Sequence, residues 1–112
     1  MERFILAYSG GLDASIAIPW LRDTFSAEVV TVTLDLGHGS ELVEIRQRAL
    51  ALGAVRSHVI DVREEFVRDY ALPALQAGAL LADRAPMTTA LTRPLIAHKL
   101  VDVARMENAT AV

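Results

Sequence analysis

Short apolar runs alternate with stretches of helical periodicity along this chain, and this alternation restricts the possible folds more than any other feature. Apolar and β-branched residues predict strands at 4–8, 28–34 and 58–60. Between and after these strands, apolar residues recur every three or four positions, which is typical of amphipathic helices. Because β-α-β units cross over with a right hand, we predict a doubly wound, Rossmann-like α/β fold. Its parallel sheet should have the order 3-2-1-4, with helices on both faces.

Three local signals predict where the helices bend or begin. Pro19 lies within the first helical pattern, where it removes a hydrogen bond and is expected to kink the helix. Asp61 stands three residues before Glu64, an arrangement typical of a capping box at the start of the third helix. Thr92 followed by Pro94 predicts the N-cap and first turn of the last helix.

Length and composition predict a single domain. With 112 residues, 53% of them hydrophobic, the chain has enough apolar surface for one core and too little length for two. Residues 109–112 look like the start of a further strand, so we expect 1–112 to be one domain that is incomplete at its C-terminal end. Trp20 and Tyr70 lie on apolar stripes and are expected in the core.

The charges and the missing cysteines exclude several classes of function. The 11 basic and 14 acidic residues form no cluster of one sign, which argues against nucleic-acid binding. A chain without cysteine has no disulfide, thiolate zinc site or cysteine nucleophile. His38, His58 and His98 lack the spacing of metal ligands, so no protein metal site is expected. The first apolar run is too short for a signal sequence or a membrane span, so we expect a cytoplasmic protein with no membrane partner.

The most informative segment is 9–13, Ser-Gly-Gly-Leu-Asp, where the first strand is expected to pass into the first helix. Two adjacent glycines let the backbone approach an anion, and the start of a helix supplies unpaired N–H groups and the positive end of a dipole. This arrangement favours phosphate, with Ser9 and Ser15 as hydroxyl donors and Asp13 as a residue that holds Mg²⁺. The alternative is a tight turn in which Asp13 is an ordinary N-cap.

Two other phosphate-binding loops are excluded by their spacing. A dinucleotide fingerprint needs glycines arranged as G-x-G-x-x-G, whereas Gly10 and Gly11 are adjacent and no third glycine follows in the turn. A kinase-type P-loop needs Gly-Lys followed by Ser or Thr, whereas the only lysine of the chain is Lys99. The segment is therefore a phosphate-binding candidate of a different kind.

The Ser-Gly-Gly-Leu-Asp segment resembles the signature of the PP-loop, or N-type, ATP pyrophosphatases, which in those proteins holds the pyrophosphate released from ATP. Further blocks follow in an order and at a spacing that closely resemble the N-terminal part of the argininosuccinate synthases. The similarity covers essentially the whole chain. The matching blocks are residues 7–15, 18–21, 52–54, 61–67, 73–75 and 89–97.

The resemblance implies a fold of the adenine nucleotide α-hydrolase type and an ATP-dependent ligase of arginine biosynthesis and the urea cycle. In that family the ureido oxygen of citrulline attacks the α-phosphate of ATP, pyrophosphate leaves, and aspartate displaces AMP from the citrullyl-adenylate. By resemblance Asp13 is catalytic, Mg²⁺ accompanies the ATP phosphates, Thr89 contacts substrate, and the full-length form is a tetramer. The implied ATP-binding residues are Ala7, Tyr8, Ser9, Gly10, Gly11, Leu12, Asp13, Ala14 and Ser15, together with Leu34, whose backbone would lie against the adenine.

The chain departs from the pattern of the family at four positions. Ala14 stands where the family has a threonine, His38 where it has a glutamine, Ala85 where it has a citrulline-binding tyrosine, and Thr88 where it has a glycine. Two alternatives therefore stay open: a PP-loop module that binds a nucleotide but catalyses nothing, and a different adenylating reaction on the same loop. We expect the 112-residue chain on its own to be inactive.

Overall fold

A computed structural model of the chain describes residues 2–36, 41–73 and 84–112, and for residues 71 and 84–92 it describes the backbone alone. Its helices and strands alternate as the sequence predicts. Within the described residues, no helix combines the length and apolar character needed to cross a bilayer. In chain order the elements are β1 (Arg3–Ala7), α1 (Leu12–Phe25), β2 (Glu28–Asp35), α2 (Leu42–Ala51), β3 (Arg56–Asp61), α3 (Arg63–Phe66) continued by a π-helical segment (Val67–Ala71), and α4 (Arg84–Glu107).

The three strands form one parallel sheet in the order β1-β2-β3, with Ile5 opposite Val30. A single parallel bridge joins Phe4 to Ala111. It is made by hydrogen bonds from the Ile5 N–H to the Ala111 carbonyl (2.9 Å) and from the Thr110 N–H to the Arg3 carbonyl (2.8 Å). Because β2 occupies the other side of β1, the order 3-2-1 of the doubly wound fold is confirmed. The bridge lies on the side where the predicted fourth strand belongs.

Alternate residues of β2 enter two separate cores, one on each face of the sheet. Val29 packs with Ile18 of α1 and Ala49 of α2. Val30, the next residue, packs with Val103 of α4 on the opposite face. A strand covered on both faces has no exposed side, which explains why residues 29–33 of β2 are all buried, the threonines Thr31 and Thr33 included.

The last helix begins earlier than the sequence predicts. Thr92 and Pro94 were expected at its N-terminus, but α4 starts at Arg84 and Pro94 lies inside it, so that prediction is wrong. A proline inside a helix costs about 3 kcal/mol through a lost hydrogen bond and a clash with the preceding turn. Burial of Leu95, and of Val103 against the sheet, offsets this cost, which local sequence preferences do not register.

The predicted capping box at the third helix is also wrong. The N-cap position of α3 is Val62, which makes no side-chain capping bond. Asp61 instead accepts from the backbone N–H of Arg63, two residues on, at 3.1 Å. The same carboxylate pairs with the Arg63 side chain, so the charged partner competes with the geometry of a capping box.

The aromatic residues expected in the core lie nearer the surface. Trp20 is 55% exposed and packs edge-on against Phe25, with 5.8 Å between ring centroids, so its placement in the core was wrong. The buried face of α1 is the one that carries Ile18. Tyr70 is half-buried and stacks on Phe66 at 6.3 Å. Apolar residues occur on more than one face of α1, and periodicity alone does not identify the face that meets the sheet.

Glu107, the last residue of α4, connects that helix to the outer strands through a buried carboxylate. It is 3% exposed. It accepts hydrogen bonds from Arg56 Nη1 at 2.7 Å and from His58 Nε2 at 3.0 Å, both on β3, and Arg3 Nη1 of β1 lies 3.5 Å away. The hydrogen bond from His58 and the positive charges of Arg56 and Arg3 hold the pKa of Glu107 below its ordinary value of 4.5, although burial opposes that shift.

The lowered pKa of Glu107 predicts how stability depends on pH. An acid with a lower pKa in the folded state contributes stability above its unfolded pKa, and that contribution disappears as the pH falls through the folded value. We expect Glu107→Gln to lower the free energy of unfolding by about 1.5–3 kcal/mol near neutral pH. In urea titrations followed by circular dichroism, the difference between variant and parent should shrink as the pH is lowered below the ordinary value of 4.5. A difference that does not change with pH would contradict this account.

Two threonines of β2 provide a matched test of buried hydroxyls. The Thr31 hydroxyl is fully buried and has no hydrogen-bond partner among the described residues. The Thr33 hydroxyl donates to the Tyr8 carbonyl at 2.7 Å. We expect Thr31→Val to raise the free energy of unfolding by about 1 kcal/mol and Thr33→Val to lower it by a similar amount. Equal effects of the two substitutions in chemical denaturation would show that the hydrogen bond is not what distinguishes them.

Candidate functional site

The connection from β1 to α1 leaves helix amides open at the carboxyl edge of the sheet. Gly11 occupies the N-cap position of α1 and brings no side chain to cap it. The first hydrogen bond of the helix runs from the Ser15 N–H to the Gly11 carbonyl at 3.0 Å. The N–H groups of residues 12–14 precede that bond, so they are available to an anion. Asp13 lies exposed in the first turn, so the alternative in which it is the N-cap is wrong.

The two glycines of this connection have different surroundings. Gly10 has φ of +86°, and a Cβ there would lie 3.2 Å from both Ile45 Cγ1 and Arg48 Nη1 of α2. A side chain at Gly10 would therefore be strained in its backbone and crowded against α2. A Cβ at Gly11 would meet only Ser9 Oγ, at 3.9 Å. The connection packs on α2 at its first glycine and is open to a ligand at its second.

Tyr8 fixes the start of this connection through hydrogen bonds of its backbone and its side chain. Its N–H donates to the Val32 carbonyl at 2.9 Å, which extends the pairing of β1 with β2 by one residue. Its carbonyl accepts from the Thr33 hydroxyl, and its phenol shares a 2.8 Å hydrogen bond with Ser15 Oγ. Because Tyr8 is 3% exposed, the Ser15 hydroxyl is oriented by a side chain that cannot move freely.

An open cleft of about 310 Å³ lies beside the connection, where β1 and β2 end. Most of its lining is apolar, and Glu41 is the acidic residue in it. Its position agrees with the general rule that ligands of doubly wound sheets bind beyond the carboxyl ends of the strands. The lining residues are Ala7, Tyr8, Ser9, Val32, Thr33, Leu34, Leu36, Glu41, Leu42, Ile45 and Ile96.

Several residues expected at a nucleotide site meet around this cleft. Ala7, Tyr8, Ser9 and Leu34 line it, and residues 10–15 continue from it into α1. Thr89 lies in α4, where the structure describes its backbone alone, and the same holds for Ala85 and Thr88. His38 lies outside the described residues.

Other residues of the cleft were not found from the sequence. Glu41, Leu42 and Ile45 come from the start of α2, and Ile96 comes from α4. In a β-α unit the helix begins near the carboxyl edge of the sheet, so the sequence could have placed Glu41 and Leu42 at the site. The sequence could not have placed Ile96 there, because its position depends on how α4 crosses the sheet.

The acidic residues at the ends of β2 and β3 are already paired. Arg63 Nη2 lies 2.9 Å from Asp61 Oδ2, and Arg63 Nε lies 3.8 Å from Asp35 Oδ2. The hydrogen bonds from Arg63 lower the pKa of Asp61 to about 2, so this carboxyl stays ionised and is no proton donor near neutral pH. Among the residues that the structure describes, no three His, Asp or Glu side chains form a group that could hold a metal ion.

A family model described as "Arginosuccinate synthase N-terminal HUP domain" matches residues 3–112. The chain is 49% identical to an argininosuccinate synthase of Pelotomaculum thermopropionicum over 112 residues, which is 100% of this chain and 28% of that protein. It is also 49% identical to an argininosuccinate synthase of Bacillus thuringiensis over 111 residues, 99% of this chain and 27% of that protein. The chain therefore spans little more than a quarter of these relatives.

A solved structure supports the same assignment of fold. The NAD+ synthetase of Burkholderia pseudomallei superposes with a TM-score of 0.60 at 25% sequence identity, over 99% of this chain and 52% of that protein. This superposition supports the doubly wound architecture described above. On the match of the family model to nearly every residue, the chain belongs to the argininosuccinate synthase family, in the region of its N-terminal HUP domain.

Proposed function

We propose that this chain is the ATP-binding portion of an argininosuccinate synthase, a ligase that joins citrulline and aspartate with release of AMP and pyrophosphate. One observation carries the proposal. The uncapped first turn of α1, at residues 11–14, opens beside an apolar cleft at the carboxyl edge of the sheet. Amide donors next to an apolar cleft suit a ligand that is a polyanion at one end and an aromatic base at the other.

The cleft and the loop that connects β1 to α1 together suggest how ATP would lie in the site. The adenine would contact the apolar side near Leu34, Leu36 and Leu42, and the phosphates would lie against the amides of residues 11–14. Ser9 and Ser15 add hydroxyl groups at the phosphate end. The fit is supported by the open space above Gly11, because a ligand can approach the backbone there without meeting a side chain.

The proposed reaction needs charge stabilisation where the leaving group forms. The ureido oxygen of citrulline forms a bond to the α-phosphorus as the bond between the α- and β-phosphates breaks, and the electron pair leaves with pyrophosphate. The backbone amides in the first turn of α1 would stabilise the leaving charge without reorganising, because the helix already holds them in place. The amine of aspartate then bonds to the activated carbon, and AMP leaves.

Mg²⁺ would accompany the phosphates and neutralise part of their charge. In the segment 7–15, Asp13 is the one carboxylate, and it is exposed in the first turn of α1. We therefore propose Asp13 as the residue that holds this ion and Thr89 as a contact to the amino-acid substrate. The tetramer and the cytoplasmic location stay predictions.

Two glycines with positive φ allow a controlled test of nucleotide binding. Gly10 in the loop has φ of +86°, and Gly53 at the end of α2 has φ of +115°, where a Cβ would meet Arg22. Each Gly→Ala substitution strains the backbone by about 1–2 kcal/mol. We expect Gly10→Ala to weaken ATP binding by about tenfold or more, measured by calorimetry, and Gly53→Ala to lower thermal stability with little change in ATP affinity.

The outcomes of this test separate a binding site from a general loss of structure. Equal losses of ATP affinity in Gly10→Ala and Gly53→Ala would show that strain anywhere in the fold is sufficient. No binding of ATP by the parent chain would reject the proposed function itself.

A second candidate function is a nucleotide-binding module without catalysis. Ala14 and Ala85 favour it, because both replace hydroxyl-bearing residues of the family pattern. The two candidates differ in whether pyrophosphate forms when the remaining part of a synthase is also present. For the 112-residue chain we expect ATP to bind and no pyrophosphate to appear with citrulline and aspartate, in a coupled phosphate-release assay. Release that depends on both amino acids would show that these residues are sufficient for the reaction.

A further inference from the structure

Arg48 of α2 reaches the loop between β1 and α1 from the side. Its Nη1 donates to the Gly10 carbonyl at 2.9 Å. The same atom lies 3.2 Å from where a Cβ of Gly10 would be, so the guanidinium rests directly on the turn. No motif in the sequence marks this residue, because the contact spans 38 positions and exists only when α2 packs beside α1.

No acidic residue that the structure describes neutralises the charge of Arg48. Within the described part of the chain, no carboxylate lies within 4.0 Å of it, whereas Arg3, Arg56, Arg63 and Arg68 each pair with an acid. A guanidinium has five N–H donors, and the hydrogen bond to Gly10 uses one of them. The remaining donors are free to meet an anion at the exposed side of the loop.

The position of Arg48 along α2 matches the polarity of the cleft. Leu42 and Ile45 of the same helix line the apolar part. Residues three apart on a helix lie on one face, so Arg48 follows Ile45 on the side that points to the site. This face of α2 is therefore apolar at Leu42 and Ile45 and cationic at Arg48, beside Gly10. A nucleotide has the same order of polarity, with an apolar base at one end and anionic phosphates at the other.

We propose that Arg48 binds the polyphosphate of the nucleotide, with its free N–H groups on phosphate oxygens beyond the α-phosphate. This inference rests on the proposed ATP-binding function and adds a contact outside the loop motif. Arginine suits the position because its planar fork can hold the Gly10 carbonyl and a phosphate oxygen together. A contact beyond the α-phosphate would also meet the pyrophosphate that leaves.

The proposal predicts an effect that grows with the number of phosphates. Affinities of the 112-residue chain for ATP, ADP and AMP are measured by calorimetry for the parent, Arg48→Gln, Arg48→Lys and Arg46→Gln. Arg46 is the matched control, because it is exposed on the same helix and carries the same charge. We expect Arg48→Gln to weaken ATP binding about tenfold, ADP binding less and AMP binding less than about twofold. Arg48→Lys should recover part of the loss, and Arg46→Gln should resemble the parent.

Each other outcome has a defined meaning. An equal loss for ATP, ADP and AMP in Arg48→Gln would mean that Arg48 only supports the loop, and losses equal to those of Arg46→Gln would reduce its role to general charge. Either result overturns the inference about Arg48. The proposed function still stands in both cases, provided that the parent chain binds ATP. If the parent binds no nucleotide, both fail together.

A measurement on the unmodified chain covers the case in which Arg48→Gln does not fold. Phenylglyoxal modifies accessible guanidinium groups, and the modified residues are identified by mass spectrometry. ATP and inorganic pyrophosphate should protect Arg48 and leave Arg46 reactive, whereas adenosine should protect neither. Modification of Arg48 at an unchanged rate in saturating ATP overturns the inference.

Discussion

The parallel pairing of β1 with β2 is the contact on which the rest of the structure depends. It aligns the carboxyl ends of the two strands at one edge, and the hydrogen bond from the Tyr8 N–H to the Val32 carbonyl continues the pairing into the loop. The loop, the start of α2 and the cleft are all positioned from that edge. Burial of Val29 on one face and Val30 on the other holds both helix layers against the same strand.

The sequence predicts the parts of this fold that are encoded locally. The strands read as apolar runs, and the Gly-Gly turn reads as a strand-to-helix connection, because a positive φ at Gly10 requires glycine at that position. The start of α4 and the exposure of Trp20 were predicted wrongly, because each depends on a distant partner. Packing of Leu95 keeps Pro94 inside a helix, and the choice of buried face on α1 is made by the sheet.

The residues of the candidate site also fall into two groups, those that local sequence encodes and those that distant contacts position. Its loop residues can be found from the sequence, since an anion-binding turn needs glycine, hydroxyl groups and a helix start in close succession. Ile45, Arg48 and Ile96 cannot be found in this way, because they approach the site from two other helices and have no fixed distance from the motif. The shape of the cleft and the contact of Arg48 with the loop are therefore tertiary properties, while the donors of the loop are local ones.

The surface position of Trp20 has a consequence for spectroscopy. It is the only tryptophan of the chain, and it lies outside both cores, edge-on to Phe25. Its indole fluorescence will respond to whatever covers the outer face of α1, and its contact with the sheet runs through Phe25, which packs edge-on against Phe4 of β1 with 5.4 Å between ring centroids. The chain thus carries an intrinsic optical reporter for contacts on that face, separate from the far-ultraviolet signal that reports the backbone.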